Sequence, residues 1–295
     1  MKLLIQPDNG VAPLIAAIQT AKKTIDQVIF RFDLPQIEKA LHAAVLRGVV
    51  TRTLIAHTNQ SGERKLRALE LRLLAEGLTV ARTGEDLLRY HGKMMIIDRT
   101  VLYVLGFNYT KLDIDKSRSF GIITKKRKIV QEAIKLFEAD CTRQPYAAGS
   151  ADFVVSPVNA RHRLAAFIRG AQRELLIYDP KLSDPLMLRV LQERIKAGVD
   201  VRLLGRSGKR GAFLKAGKLP GVRLHVRAMV RDGRHAFIGS QSLRKIELDG
   251  RREVGIIVRD PKVVKKLRAT FESDWASTSI AQSEALEDVD QAVNA

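Results

Sequence analysis

The chain has a single cysteine, Cys141, in 295 residues. One thiol excludes an internal disulfide framework and any metal site built on several cysteines. It closes the stretch Phe137-Glu138-Ala139-Asp140-Cys141, which reads as the end of an amphipathic helix, so it is expected to pack rather than react. Aromatic residues are scarce at 5%, with one tryptophan, which argues against a stacking platform for single-stranded nucleic acid. No run of 18 apolar residues occurs, so no membrane-spanning helix is expected. The first apolar run, Leu3-Leu4-Ile5, stops at Gln6, too soon for a signal peptide. Neither a glycine-rich nucleotide loop nor a DNA-reading module is recognisable. The expected chain is soluble and cytoplasmic, with peripheral contact to a membrane surface left open.

Acidic residues are also in deficit. Against 51 Lys plus Arg stand 32 Asp plus Glu, a formal net charge of +19. Such an excess says nothing about fold, but it points to a negatively charged partner: nucleic acid, an anionic membrane surface or a phosphate-bearing substrate. Hydrophobic residues at 45% and charged residues at 28% are ordinary for a globular chain and exclude collagen, coiled coil and wholesale disorder. After Trp275 the tail holds no Lys or Arg, and residues 276–295 are expected to be poorly ordered.

What the chain has in abundance is itself, twice. Ile5-Gln6-Pro7 resembles Val155-Ser156-Pro157, and Arg47-Gly48-Val49 resembles Ala197-Gly198-Val199, both offset by 150 residues. Further on the offset falls to 134: His91 matches His225, Gly121-Ile122-Ile123 matches Gly255-Ile256-Ile257, and Phe137-Glu138-Ala139-Asp140 matches Phe271-Glu272-Ser273-Asp274. The second copy therefore lacks about 16 residues. The corresponding part of the first copy carries Leu66, Leu69, Leu73 and Leu74 on one helical face. Each copy alternates strand and helix. In the first, strands are expected over 24–32, 49–56, 78–83, 93–98, 101–106 and 121–124, and helices over 36–46 and 129–140. That order implies α/β layers. The small, turn-prone stretch Gln144-Pro145-Tyr146-Ala147-Ala148-Gly149-Ser150 marks the boundary, giving lobes 1–145 and 151–275.

The chemistry-bearing signal is His91-Gly92-Lys93 followed by Asp98, echoed by His225-Val226-Arg227 and Asp232. On a strand, residues two apart share a face, so each histidine projects beside a cation. A neutral imidazole next to a fixed positive charge suits attack on an anionic phosphate. Lys125-Lys126-Arg127-Lys128 and the looser group Lys209, Arg210, Lys215 and Lys218 read as solvated basic loops able to touch lipid or nucleic-acid phosphates.

The pattern resembles that of the phospholipase D superfamily, His-x-Lys-x4-Asp-x6-Gly-[Gly/Ser]-x-Asn, present twice. In the first copy Gly106 and Asn108 fit and Leu105 replaces a glycine. In the second, Gly239 and Ser240 fit, Arg227 replaces the lysine and Ser242 the asparagine. Glu253 matches a downstream glutamate of the family, and its repeat partner is Ser119. The resemblance implies two tandem α/β sandwich lobes related by pseudo-twofold symmetry, their motifs meeting in one pocket. It implies metal- and cofactor-free phosphodiester chemistry, with His91 as nucleophile and His225 as acid and base. Lys93, Asn108, Arg227, Ser240 and Ser242 would hold the phosphate, with Gly106, Gly239 and Glu253 in support. Asp98 and Asp232 would either orient the imidazoles or brace the motif strands. Arg227 keeps the charge with a wider fork, so it fits either a working phosphate ligand or a lobe that has drifted from catalysis. The implied substrate is a phospholipid, hydrolysed or passed to an alcohol. The alternatives are a nuclease-like phosphodiesterase and a phosphate-binding module that has lost catalysis. The oligomeric state is left open.

Overall fold

A computed structural model describes residues 1–57 and 63–282. The first half runs β1 (Lys2–Gln6), α1 (Ala12–Thr20), β2 (Thr24–Ile29), α2 (Pro35–Leu46), β3 (Val50–Ile55), α3 (Glu63–Ala75), β4 (Thr79–Arg82), β5 (Arg89–Tyr90), β6 (Met94–Ile97), β7 (Val101–Leu105), α4 (Lys111–Asp115), β8 (Ser117–Thr124) and α5 (Arg127–Thr142). The second runs β9 (Phe153–Val155), α6 (Ala160–Arg169), β10 (Glu174–Leu182), α7 (Pro185–Lys196), β11 (Asp200–Ser207), β12 (Lys215–Gly217), β13 (Arg223–Leu224), β14 (Arg227–Arg231), β15 (His235–Gly239), α8 (Lys245–Asp249), β16 (Arg251–Arg252), β17 (Val254–Val258) and α9 (Pro261–Ala276).

Each half builds a mixed sheet, ordered β1-β8-β7-β6-β2-β3-β4 and β12-β11-β10-β14-β15-β17-β9. The strands preceding the motifs, β2-β3-β4 and β10-β11-β12, are parallel, and the motif hairpins β6-β7 and β14-β15 are antiparallel. This is the two-lobed α/β arrangement implied by the sequence. The repeat has a local cause at several points. Gly48 and Gly198, both at φ 82°, close α2 and α7 in a backbone region that disfavours side chains. Pro35 and Pro185 open α2 and α7 at the first helical position, and in the second half alone Asp184 and Asp260 cap α7 and α9 by accepting backbone N–H groups.

Three apolar clusters hold the molecule together. Two lie on the outer faces, where α1, α2 and α3 cover the first sheet and α6 and α7 the second. The third is shared: inner-face residues of both sheets pack with α5 and α9 around Phe120, Phe137, Tyr178, Phe271 and Trp275. Two repeat-equivalent ion pairs cross this seam, Arg118–Asp274 at 3.0 Å and Arg252–Asp140 at 3.1 Å. The lobes are thus locked by a common core and reciprocal charges.

Several expectations shift in detail. β1 and α1 were not anticipated, and β8 starts four residues before Gly121 because Ser117 and Arg118 pair with β13. Leu66, Leu69 and Leu73 are buried under α3, but Leu74 is 47% exposed. Cys141 packs beside the shared core, and burial pushes its thiol up to about 12. Of the acidic tail, Thr278 is buried and Ile280 and Ala281 pack on the core, while 283–295 lie outside the described residues. Among the described residues no helix is long and apolar enough to cross a membrane.

Candidate active site

Each histidine is delivered to the seam by a two-residue ladder with the opposite lobe. β5 pairs with β16, and the His91 N–H donates to the Arg252 carbonyl at 2.7 Å. β13 pairs with β8, and the His225 N–H donates to the Arg118 carbonyl at 3.1 Å. Both imidazoles consequently line one cleft of about 800 Å³.

His91 is the more tightly framed. Its Nδ1 lies 3.0 and 2.9 Å from the two oxygens of Glu253, a wholly buried carboxyl from the opposite lobe. With Nδ1–H donated to that carboxylate, Nε2 keeps its lone pair. Phe30 meets the ring edge-on, centroids 4.8 Å apart. Lys93 is fully buried; its Nζ donates to the His91 carbonyl at 2.6 Å and lies 3.2 Å from each ring nitrogen. Burial first, then the charges of Lys93 and Arg227, hold the His91 imidazole well below the ordinary histidine range. Burial likewise lowers the Lys93 ammonium to about 7, with Glu253 opposing the shift. Glu253 is raised by burial, with Lys93 and a Ser240 hydrogen bond acting against it.

His225, its side chain 11% exposed, is also held neutral by desolvation first, with Arg227 next and Asp113 pulling the other way. Arg227 donates from Nε to the Ser242 hydroxyl at 3.2 Å, and its Nη1 is buried without a partner among the described residues. An unpaired buried guanidinium nitrogen on the cleft wall fits a phosphate oxygen. Asn108 lines the same wall. Its carbonyl oxygen accepts from the Arg31 N–H at 3.2 Å, and its amide donates to Asp113 at 2.7 Å.

The remaining sequence candidates stand behind these groups. Ser240 and Ser242 do not line the cleft. Ser240 exchanges hydrogen bonds with the Val254 backbone at 3.3 and 3.1 Å, and Ser242 supports Arg227; Lys93 likewise is fully buried and stands behind the cleft lining. Gly106 and Gly239 let the lobes close: a Cβ on Gly106 would sit 2.8 Å from the Phe120 carbonyl and 3.3 Å from that of Gly239. Asp98 and Asp232 are more remote. They lie at the far ends of β6 and β14, outside the cleft. Asp98 accepts the backbone N–H groups of Lys22, Lys23 and Thr24, and Asp232 those of Gln172, Arg173 and Glu174. Of the two roles left open for them, the geometry gives strand bracing. Asp98→Ala should therefore cost about 1–3 kcal/mol of stability, read as a drop in Tm, with kcat/KM within a few-fold of wild type. A loss of kcat at unchanged Tm would put Asp98 back in the chemistry.

The sequence reading missed Asp113, Arg223, Arg89 and the Phe30-Arg31 wall. Asp113 had a findable signal, because its position 134 residues on is Glu247, also acidic. The basic run 125–128 is exposed at the start of α5 and does not line the cleft. Among the described residues six cations do: Arg31, Lys65, Arg72, Arg89, Arg223 and Arg227, against Asp33, Glu38 and Asp113. Among the described residues no group of three His, Cys, Asp or Glu side chains is arranged to hold a metal.

Comparison with known proteins gives the family and the fold. The family described as "Cardiolipin synthase, PLD-like domain" matches residues 14–141 and 164–275. The chain is 24% identical over 131 residues to the mitochondrial cardiolipin hydrolase of Mus musculus, covering 44% of this chain and 58% of that protein. It spans about half the length of the curated relatives it matches. In fold it is similar to the polyphosphate kinase of Porphyromonas gingivalis, with a TM-score of 0.77 and 17% identity over 92% of this chain and 46% of that one. It is also similar to the phosphatidylserine synthase of Haemophilus influenzae, with a TM-score of 0.68 and 12% identity over 93% and 85%.

Proposed function

The chain belongs to the phospholipase D superfamily, and from that premise we propose that it cleaves phosphodiesters, phospholipids first among them, through a covalent phosphohistidine. The observation that carries this reading is the pair of neutral imidazoles lining one cleft, His91 backed by Glu253 and His225 flanked by Arg227.

His91 Nε2 attacks phosphorus while Lys93, Arg227 and Asn108 take up charge on the non-bridging oxygens. The P–O bond to the leaving alcohol breaks, and His225 supplies the proton that alcohol needs. The arriving phosphate charge raises His225 from its low ligand-free value, so the group can be protonated at that moment. Water, or an acceptor alcohol, then loses a proton to His225 and attacks the phosphohistidine, releasing His91.

The phospholipid reading is supported by apolar walls beside the cations, Phe30, Phe32, Leu66, Leu69 and Leu112, and by lipid-acting relatives in the family. One observation favours nucleic acid instead: the six cleft cations, which would track a polyanionic backbone. The deciding experiment incubates the protein in EDTA with anionic phospholipid vesicles and with single-stranded DNA. Release of lipid headgroup or a transferred phosphatidyl product, with DNA intact, is the expected result. DNA cleavage alone would reverse the substrate reading. Activity abolished by EDTA and restored by one metal would overturn the mechanism, because His, Lys and Arg supply all its charge and proton transfers.

A further inference from the structure

His91 and His225 occupy repeat-equivalent frames but meet different neighbours. The residue that corresponds to Glu253 on the other side of the pseudo-twofold is Ser119. It is wholly buried, and its hydroxyl makes no hydrogen bond among the described residues. A serine side chain is two bonds shorter than glutamate and cannot bring an acceptor to the imidazole as Glu253 does. His225 Nδ1 also lacks a hydrogen bond, yet it faces Asp113 Oδ2 at 3.4 Å.

Asp113 is held there by several contacts. It is 3% exposed, on α4, six residues before Ser119. Its Oδ2 accepts the Asn108 backbone N–H at 2.9 Å and the Asn108 amide at 2.7 Å, and its Oδ1 accepts from Arg223 at 2.8 Å. Burial alone would raise this carboxyl, but His225, Asn108 and Arg223 together hold it below the usual carboxylate range, so it is ionised. The equivalent residue in the second half, Glu247, likewise accepts the Ser242 N–H at 2.7 Å but pairs with Arg244 and Arg251 in place of a histidine. Glu247 has no corresponding duty, because His91 already has Glu253.

We propose that Asp113 is the positioning residue of His225, taking from α4 the place that Ser119 on β8 has vacated. This rests on the reading that His225 carries the proton. The carboxylate would fix the tautomer with Nδ1–H toward Asp113 and Nε2 toward the cleft, and the 3.4 Å gap would close as the imidazole gains charge. One side chain thereby sets both Asn108, a phosphate ligand of the first motif, and His225, the proton carrier of the second. The two lobes would be tied together chemically at this point.

The test combines histidine NMR with kinetics on Asp113→Ala, Asp113→Asn and Asp113→Ala/Ser119→Glu. In the wild-type protein His225 should be the Nδ1–H tautomer. In Asp113→Ala the Nε2–H form should appear, and Ser119→Glu should restore the original. On an unactivated phosphodiester, Asp113→Ala should lower kcat about 10–100-fold, with a smaller loss on an activated aryl diester and recovery through Ser119→Glu. Should Asp113→Ala fail to fold, Asp113→Asn keeps the oxygen that serves both Asn108 and His225 Nδ1–H while removing the charge, so the tautomer should persist and kcat should fall more on the unactivated diester than on the aryl diester. An unchanged tautomer in Asp113→Ala, or equal losses on both substrates in either variant, would overturn the proposal and leave Asp113 as a support for Asn108 alone. If the wild-type protein turned over no diester, the functional reading would fall, while the tautomer measurement would still decide the role of Asp113.

Discussion

His91→Ala is expected to abolish turnover of every phosphodiester, activated or not. Removing a covalent nucleophile costs on the order of 10⁶-fold in kcat. Among the described residues His91 alone has a buried carboxylate bound to Nδ1 through both oxygens, and so a fixed lone pair on Nε2. His225→Ala should behave differently. It removes proton transfer, worth about 10²–10⁴-fold, and the loss should shrink on an aryl diester whose leaving group needs no proton. Acid-sensitive, base-stable phosphate trapped by quenching and located by mass spectrometry should sit on His91. A phosphate on His225 with His91 bare would exchange the two roles. Full activity without an adduct on either would point to direct attack by water.

Much of this was legible in the sequence, and the reason is duplication. A lone His-x-Lys is weak, but the same spacing recurring at His225, with Asp232 in step with Asp98, brought out the histidine pair and the two copies, while their shared pocket was implied by the resemblance to the phospholipase D superfamily. The interlobe pairs follow the same repeat, since Arg118 and Arg252, like Asp140 and Asp274, lie 134 residues apart, but only the structure shows them paired. What the pattern could not separate was chemistry from architecture. Asp98 and Asp232 recur as faithfully as the histidines, yet their carboxylates are used on backbone N–H groups at the remote strand ends. Periodicity records that a position matters and is silent about where its side chain points. Asp113 escaped for the complementary reason. Its service to His225 depends on β13 lying against β8, a contact between residues about 110 apart in the chain. Phe30 and Arg31 escaped likewise, because the loop after β2 is positioned by Asn108 and Tyr109 from elsewhere in the lobe.

The second large effect concerns Lys93, and it predicts a pH profile. A fully buried ammonium brought to about 7 is half charged near neutrality in the ligand-free protein. The charged form is the one that neutralises phosphate oxygens. Because kcat/KM reports the free enzyme, it should fall as pH rises through about 7. His91, held well below its ordinary range, is already neutral there and adds no limb of its own. For stability the sign is opposite. Between about 7 and the unfolded value near 10.4 the unfolded chain binds more protons at this lysine, so its contribution to stability rises with pH. Phosphate or vanadate binding should weaken over the same range in which the ligand-free protein gains. Lys93→Arg, charged throughout, should remove both trends. Lys93→Met should lose about 10²–10³-fold in kcat, the usual loss when one preorganised donor to a developing charge is removed. A wild-type kcat/KM that stays level from pH 6 to about 9, the interval that brackets the lowered lysine, would mean that Lys93 keeps its proton and that its burial is offset by Glu253 more completely than by substrate.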